Sequence, residues 1–473
     1  MAECIYRFRP TFALLGGFHE LENQEIYFAP SRQLNDPLEG YKDLFWQGDE
    51  IVWKNFLRHY VLCLMQAILR TLEHGEEYRV TEDTLPVEMI ADDLQPEVRK
   101  LYDAMCDQMF SDAEMSRLPE LLSRQTSPIR RNELLTLLWP LHFRLFKIVC
   151  ITLQPDGPFH AIDAYFRNRE EHPLRLQQSF AALNAFDAQH HEEPEVVEAM
   201  MEKFYSAVEQ TNFIRNFNGM DQQHGPAWNV IASSFPEVYL NSLENLAYGA
   251  WYTACFVAEP TQAAMWSIYG DSHRGACLKF KTTTLASGPQ ALTLRTANAI
   301  DGTGTVQYEY SPQPFQEVRY ADRYAEIDFF RSLGTLIPQQ LAFWYRGDGG
   351  VMSSTGRLTG TDEWRKRYWE NFHTTVTTKL KDWQHEREYR ITLQSHTVDL
   401  SILAERRLRY RFEDLQGVIF GMKTTTEDKI AIARILQTKC KQTGRSDFEL
   451  YQAYYSRITG RIATTRWNLV KFS

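Results

Sequence analysis

Three short segments set chemistry-bearing side chains at spacings that packing alone does not require. They are Tyr6-Arg7 near the N-terminus, Met265-Trp266-Ser267-Ile268-Tyr269 near the middle, and Glu386-Arg387-Glu388-Tyr389-Arg390 late in the chain. Alternate residues of an extended strand share a face, so Glu386, Glu388 and Arg390 are expected on one side, with Tyr389, Ile391 and Leu393 packed on the other. Two carboxylates on one face raise the proton affinity of one of them unless a cation intervenes, and Arg390 is the expected structural partner. The same spacing also suits a solvent-facing strand whose Glu and Arg side chains pair across a sheet. Trp266, Ser267 and Tyr269 supply two rings and a hydroxyl, a set that can stack a flat ring and hold it by one hydrogen bond, or simply close the edge of a core. Arg7 lies in an apolar run and needs an anion, either a structural carboxylate or a ligand phosphate.

The elements that must position these residues can be read from periodicity. An apolar run around Ile5 to Phe8, a helix-like stretch from Phe12 to Asn23 and the segment Glu25 to Ala29 read as strand, helix, strand, followed by the turn signal Asn35-Asp36-Pro37. From Trp53 to Asn245 the spacing is helical: Phe56, Leu57, Tyr60, Val61 and Leu64 share a face, and 98–109, 134–149 and 196–208 look similar. The acids Glu192, Glu193, Glu195, Glu198 and Glu202 fit a solvated helix face. Strand character returns at 250–257, 276–280, 305–310, 318–320, 389–393 and 418–420, and Thr424 with Glu427 makes a capping box for a closing helix. The expected class is α+β: a mixed β-sheet core domain from 1–47 plus 246–436, interrupted by a large helical insertion at 48–245, with a basic, aromatic C-terminal extension at 437–473.

The chain has 473 residues, 44% hydrophobic and 24% charged, enough to bury more than one core at about 100–200 residues per domain. Its formal charge of -10 argues against a surface that is basic throughout, although the C-terminal segment is locally positive. Seven scattered cysteines without a C-x-x-C spacing fit neither a disulfide framework nor a thiolate zinc site, and read as buried thiols of a reducing cytoplasm. The first residues lack the order of a signal peptide, and the apolar stretch from Leu134 to Leu153 is interrupted by Pro140, His142, Arg144 and Lys147, so neither export nor a membrane span is expected.

No phosphate-binding loop, dinucleotide fingerprint, zincin motif or nucleophile elbow is present. Asp301-Gly-Thr-Gly-Thr305 reads as a hairpin turn, and the pair His190-His191 has no further ligand spacing, so no metal is expected.

The ordered set Tyr6-Arg7, Glu25 to Ser31, Asn35-Asp36-Pro37-Leu38-Glu39, Met265 to Gly275, Trp383-x-x-Glu386-x-Glu388-x-Arg390 and Val418 to Gly421 resembles the bacterial family named domain of unknown function 2971. A further resemblance is to ADP-ribosyltransferases of the Arg-Ser-Glu type, which implies an ADP-ribosyltransferase-like fold for the sheet core and NAD as substrate. By that resemblance Arg7 holds a phosphate or ribose and Ser267 supports the nicotinamide ribose. Tyr269 or Trp266 stacks on nicotinamide, Glu388 is the catalytic acid and Glu386 orients the acceptor. Tyr6, Asn35, Asp36 and Arg390 complete the implied nucleotide-binding set. The middle motif departs from the family pattern, with W-S-x-Y in place of S-T-S. The implied activity is ADP-ribosyl transfer to a nucleic acid or protein, or NAD destruction, in a bacterial defence or toxin-like setting. Residues 48–245 would serve a protein partner or self-association. Two other readings stand beside it. One is a metal-dependent nuclease using Asp36, Glu39, Glu386 and Glu388, though without the lysine that many nucleases place beside such acids. The other is a sensor or adaptor that binds a nucleotide or partner without chemistry.

Overall fold

A computed structural model describes residues 3–153, 194–218, 225–286, 288–395 and 397–472. His190, His191, Glu192 and Glu193 lie outside the described residues. The chain is α+β and divides into two compact units: 1–41 with 250–325 and 373–473, and 42–249 with 326–372. Residues 326–372, read as core from the sequence, thus group with the helical segment, and the C-terminal segment groups with the sheet core.

The first unit is built on a nine-stranded mixed sheet. Its strands are β1 (Cys4–Arg9), β2 (Ala29–Pro30), β3 (Tyr252–Val257), β4 (Ala276–Lys281), β5 (Gln316–Glu317), β6 (Glu388–Leu393), β7 (Leu415–Phe420), β8 (Glu449–Ser456) and β9 (Arg461–Arg466). They lie in the order β5-β6-β3-β1-β4-β7-β8-β9, with β2 also on β3. Every pair is antiparallel except β7 with β8. One sheet face buries Ile5, Phe256, Phe280 and Val418 with Ile432 and Leu436 of the helix Thr426–Thr443. The other buries Phe8, Val257, Trp266, Cys277, Ile419, Ala453 and Ile462. This period-2 partition is what the alternation in the strands predicts. A second sheet joins Val306–Pro314, Gln290–Ile300, Arg407–Tyr410 and Glu25–Tyr27, and its first two strands meet at the Asp301–Thr305 hairpin read from the sequence.

Three local expectations are revised. The helix expected over Phe12–Asn23 is two short ones, Thr11–Leu15 and Glu20–Asn23, because the chain turns at Gly16-Gly17 and His19 takes a left-handed φ of 50°. The strand expected over Glu25–Ala29 is shared between two sheets, and Phe28 N–H donates instead to the Arg406 carbonyl at 2.9 Å. The N-cap of the closing helix is Thr425, which accepts from Asp428 N, because the Thr424 hydroxyl donates to Gly275 O at 2.6 Å.

The second unit holds the helices Glu50–His74, Pro96–Ser111, Arg131–Leu153, Pro194–Phe217 and Phe235–Ala247. Asp49 caps the first of these by accepting from Val52 N. Arg131–Leu153 continues through Pro140, and among the described residues it is the helix long and apolar enough to cross a membrane; 61% of its most apolar window is buried inside the protein. His59 and His142 are fully buried here, each bonded to a tyrosine hydroxyl and a backbone carbonyl: Tyr239 and Val87 for His59, Tyr60 and Ile231 for His142. The seven cysteines are free thiols.

Candidate active site

The nine-stranded sheet is forked. β2 pairs with β3 at Thr253 and Tyr252, whereas β1 pairs with β3 at a single position, Tyr6 opposite Val257. Residues 254–256 of β3 keep their ladder to β6 on one side but meet no strand on the other. The gap opens into a cavity of about 410 Å³ within the first unit, whose walls include Tyr6, Arg7, Asn35, Cys255, Tyr269 and the carboxylates of Glu39, Glu386 and Glu388. This volume lies in the range of small-molecule sites.

One wall of the cavity is an ionic cluster. Thr378–Leu380 pairs in parallel with Arg319–Ala321, setting Lys379 opposite Tyr320. The chain then runs through a 3₁₀ stretch, Lys381–Glu386, and Arg387 adopts a left-handed φ of 46° before β6 begins at Glu388. Glu386 therefore does not share a strand with Glu388, as the spacing had suggested; the left-handed residue between them brings both carboxylates to one ammonium. Lys379 Nζ lies 2.5 Å from Glu386, 2.8 Å from Glu388 and 3.2 Å from Glu39. Its ammonium also lies 5.3 Å from the Trp383 ring. Arg390 donates from Nε to Glu388 at 2.7 Å, from Nη1 to Val376 O at 2.7 Å, and from Nη2 to Glu39. Its pairing with Glu388 is the structural partnership expected from the sequence. The Asn35-Asp36-Pro37 turn delivers Glu39: Asp36 Oδ1 accepts from Leu38 N at 2.9 Å and Asp36 O from Glu39 N at 3.0 Å.

Three carboxylates share two cations, all nearly inaccessible to solvent, and their surroundings drive the proton affinities of Glu39 and Glu388 apart. Burial raises the Glu39 carboxyl, and the nearby Glu388 charge adds to that against the pull of Arg390. Burial would also raise Glu388, but Arg390 and then Lys379 overcome it and hold it at about 2. Burial opposes the charge on Lys379, yet Glu388 and Glu39 raise its pKa above the ordinary value, so the ammonium is fixed. Tyr269 donates to Glu386 at 2.7 Å, and burial together with the carboxylate pushes its hydroxyl well up. Neighbouring carboxyls whose proton affinities are driven in opposite directions, Glu39 up and Glu388 down, are an arrangement suited to acid and base chemistry.

The opposite wall carries an unbalanced charge. Arg7 is 6% exposed, lies 5.4 Å from the Phe256 ring and donates from Nη2 to Tyr27 O at 2.9 Å, but its Nη1 is buried with no hydrogen-bond partner among the described residues. Its neighbour Arg9 is satisfied by Glu20, with Nε donating at 2.7 Å. Burial, then Arg9, lower the Arg7 pKa to about 10. The sequence led us to expect an anion beside Arg7, either a structural carboxylate or a ligand phosphate; among the described residues no carboxylate forms an ion pair with it, and its acceptor is a backbone carbonyl. A buried cation that lines a cavity and keeps an unpaired donor is a candidate site for an anion.

Of the residues singled out from the sequence, Tyr6, Arg7, Asn35, Tyr269, Glu386 and Glu388 line this one cavity. Arg390 and Asp36 are buried behind its wall. Trp266 is fully enclosed, edge-on to Phe8 at 4.8 Å and donating to Pro260 O, and Ser267 is exposed; neither lines the cavity. Sequence reasoning missed Lys379 altogether, although it directly follows the β-branched run 374–378. It also missed the half-buried Cys255, which lies opposite Arg390 in the β3–β6 ladder and whose thiol burial, with the Glu388 charge adding to it, pushes well up.

Comparison with known proteins adds one assignment. Residues 265–391 match the family described as Protein of unknown function (DUF2971). The matched segment carries Tyr269, Tyr320, Lys379, Glu386, Glu388 and Arg390, and so most of the ionic cluster, while Arg7 and Glu39 precede it. No curated protein matches the chain, and no solved structure does.

Proposed function

We propose that the forked-sheet cavity binds a nucleotide through Arg7, and that the chain is an ADP-ribosyltransferase-like or NAD-consuming enzyme. The observation that carries this reading is the unpaired, buried Nη1 of Arg7, a residue that lines the same cavity as Glu386 and Glu388. In this reading a phosphate oxygen accepts from Arg7, and the base stacks on Tyr269 or Tyr27 in the cavity wall. The bond between ribose C1′ and the pyridinium nitrogen breaks with its electron pair going to nitrogen, so nicotinamide leaves neutral and positive charge develops on the sugar. Ionised Glu388, with Glu386, stabilises that charge as carboxylates do in glycoside hydrolysis. Water or an acceptor hydroxyl then forms the new C1′–O bond and gives its proton to a carboxylate. Trp266 and Ser267 lie off the cavity, and this reading does not use them.

The test is nicotinamide release from NAD by wild type and Glu388→Gln, with and without bacterial lysate and RNA as acceptors. The variant is checked for folding by its melting curve. Release lost in a folded variant supports the reading, and silence from wild type under every condition overturns it.

The second reading, a metal-dependent nuclease, gains one feature from the structure: the lysine that the sequence seemed to lack is Lys379, beside Glu39, Glu386 and Glu388. Against it, that ammonium occupies the point where the carboxylates converge. No group of His, Cys, Asp and Glu among the described residues is disposed to hold a metal. Nucleic-acid cleavage dependent on Mg²⁺, without nicotinamide release, would favour it.

A further inference from the structure

The C-terminal hairpin of β8 and β9 lies at the edge of the main sheet, with no further strand beyond β9 among the described residues. Tyr451 to Ser456 pair with Arg466 to Arg461, and Gly460 takes a φ of 66° at the tip. From Leu450 to the C-terminus the chain holds Arg457, Arg461, Arg466 and Lys471 and no acidic residue, in a protein whose net charge is -10. Arg466 pairs with Glu449 at 3.1 Å, whereas Arg457 and Arg461 are exposed at the tip and form no ion pair among the described residues. Beside them Tyr454 and Tyr455 are 45% and 58% exposed. Tyr455 continues the row of Tyr451 and Ala453 on the sheet face that also carries Tyr6 and Tyr269.

We propose that this hairpin docks single-stranded nucleic acid across its tip, with Arg457 and Arg461 on phosphates and with Tyr454 and Tyr455, which as consecutive strand residues project from opposite faces, each stacked on a base. Unpaired guanidinium groups next to exposed rings are the combination that binds single strands without reading their sequence. The net charge of -10 works against nucleic-acid binding over the surface as a whole. Basic residues on an edge strand also discourage edge-to-edge aggregation, but that purpose requires neither exposed tyrosines nor arginines in the tip.

The test is fluorescence anisotropy of a labelled oligouridylate and an oligothymidylate of about 20 nucleotides, titrated with the full chain from about 50 to about 200 mM salt. The proposal is independent of NAD chemistry, so its outcome does not depend on the preceding reading. Wild type should bind, and the Arg457→Glu/Arg461→Glu variant should lose at least about tenfold in affinity and flatten the log K against log salt slope by about 1.4, or about 0.7 per phosphate contact. Tyr454→Ala/Tyr455→Ala should weaken binding by a comparable factor and leave the slope unchanged. The control Arg365→Glu/Lys366→Glu makes the same charge change on an exposed helix of the other unit and should change affinity far less. Failure of wild type to bind, equal losses in the hairpin variant and the control, or binding to anionic phospholipid vesicles but not to either oligonucleotide would each overturn the proposal.

Discussion

Replacing Arg7 with methionine should make the unliganded protein more stable and should abolish the nucleotide binding proposed above. Arg7 is buried, and burial followed by Arg9 brings its pKa from 12.5 to about 10. A cation whose pKa is depressed in the fold destabilises that fold at every pH below its folded value, because the unfolded chain holds the proton more tightly. At 1.36 kcal/mol per pKa unit the charge at neutral pH costs about 3 kcal/mol relative to a neutral side chain. Methionine keeps an apolar stem over Phe256 and removes the charge, but leaves the Tyr27 carbonyl without its donor, a loss of about 1–2 kcal/mol. The net expectation is a gain of about 1–2 kcal/mol, read as a rise of roughly 2–6 °C in the melting temperature for a unit of this size. In wild type, NAD or a simpler phosphate ester should raise the melting temperature, and in Arg7→Met that ligand shift should vanish. A variant that melts well below wild type while keeping its full ligand shift would show that Arg7 is a structural residue with a partner of its own, and the argument for an anion site would fail.

Two further outcomes follow from other buried charges. Lys379→Met leaves Glu39, Glu386 and Glu388 with Arg390 alone, and breaking a buried ionic cluster in this way costs about 3–5 kcal/mol; because Glu39 already holds its proton more tightly than usual, denaturation near pH 5 should show a smaller loss than near pH 8, and a small loss independent of pH would refute the cluster as drawn. Burial lowers His59 and His142 from 6.5 to about 4, so the unfolded chain takes up protons first as the pH falls. The second unit should be fully stable above pH 6.5 and lose up to about 3 kcal/mol per histidine between pH 6.5 and 4. His142→Gln should flatten its share of that dependence in denaturant titrations across the range.

The elements legible in the sequence were those whose pattern is local. Ile5, Arg7 and Arg9 against Tyr6 and Phe8 alternate as β1 requires, and the apolar face of Glu50–His74 repeats over enough turns to leave no other reading. The sequence misled where distant groups compete for a short segment. Thr424 is spaced to cap a helix, but its hydroxyl is taken by Gly275, 149 positions earlier in the chain, and the cap passes to Thr425. Glu386 and Glu388 were seen as a pair on one strand; the left-handed Arg387 and the ammonium of Lys379, which actually unite them, depend on a parallel pairing with Arg319–Ala321 that no local pattern announces. Arg7 was recognised as needing an anion, but its partnerless donor becomes visible only once the fork between β1 and β2 is known.

The bond between Arg390 and Glu39 joins residues 351 positions apart. Loop-closure entropy rises only with the logarithm of length, about 0.6 kcal/mol per doubling, so a long intervening segment adds little to the equilibrium cost of the cluster. Its effect is on timing. At about 5–20 residues per second, a ribosome reaches Arg390 roughly 20–70 s after Glu39. Throughout that interval Glu39 and Arg7 exist without Lys379, Glu386 or Glu388, and a chain halted anywhere in it lacks most of the ionic wall. Any activity housed in the cavity is therefore withheld from the nascent protein until Arg390 has been added, and fragments released earlier lack the completed site.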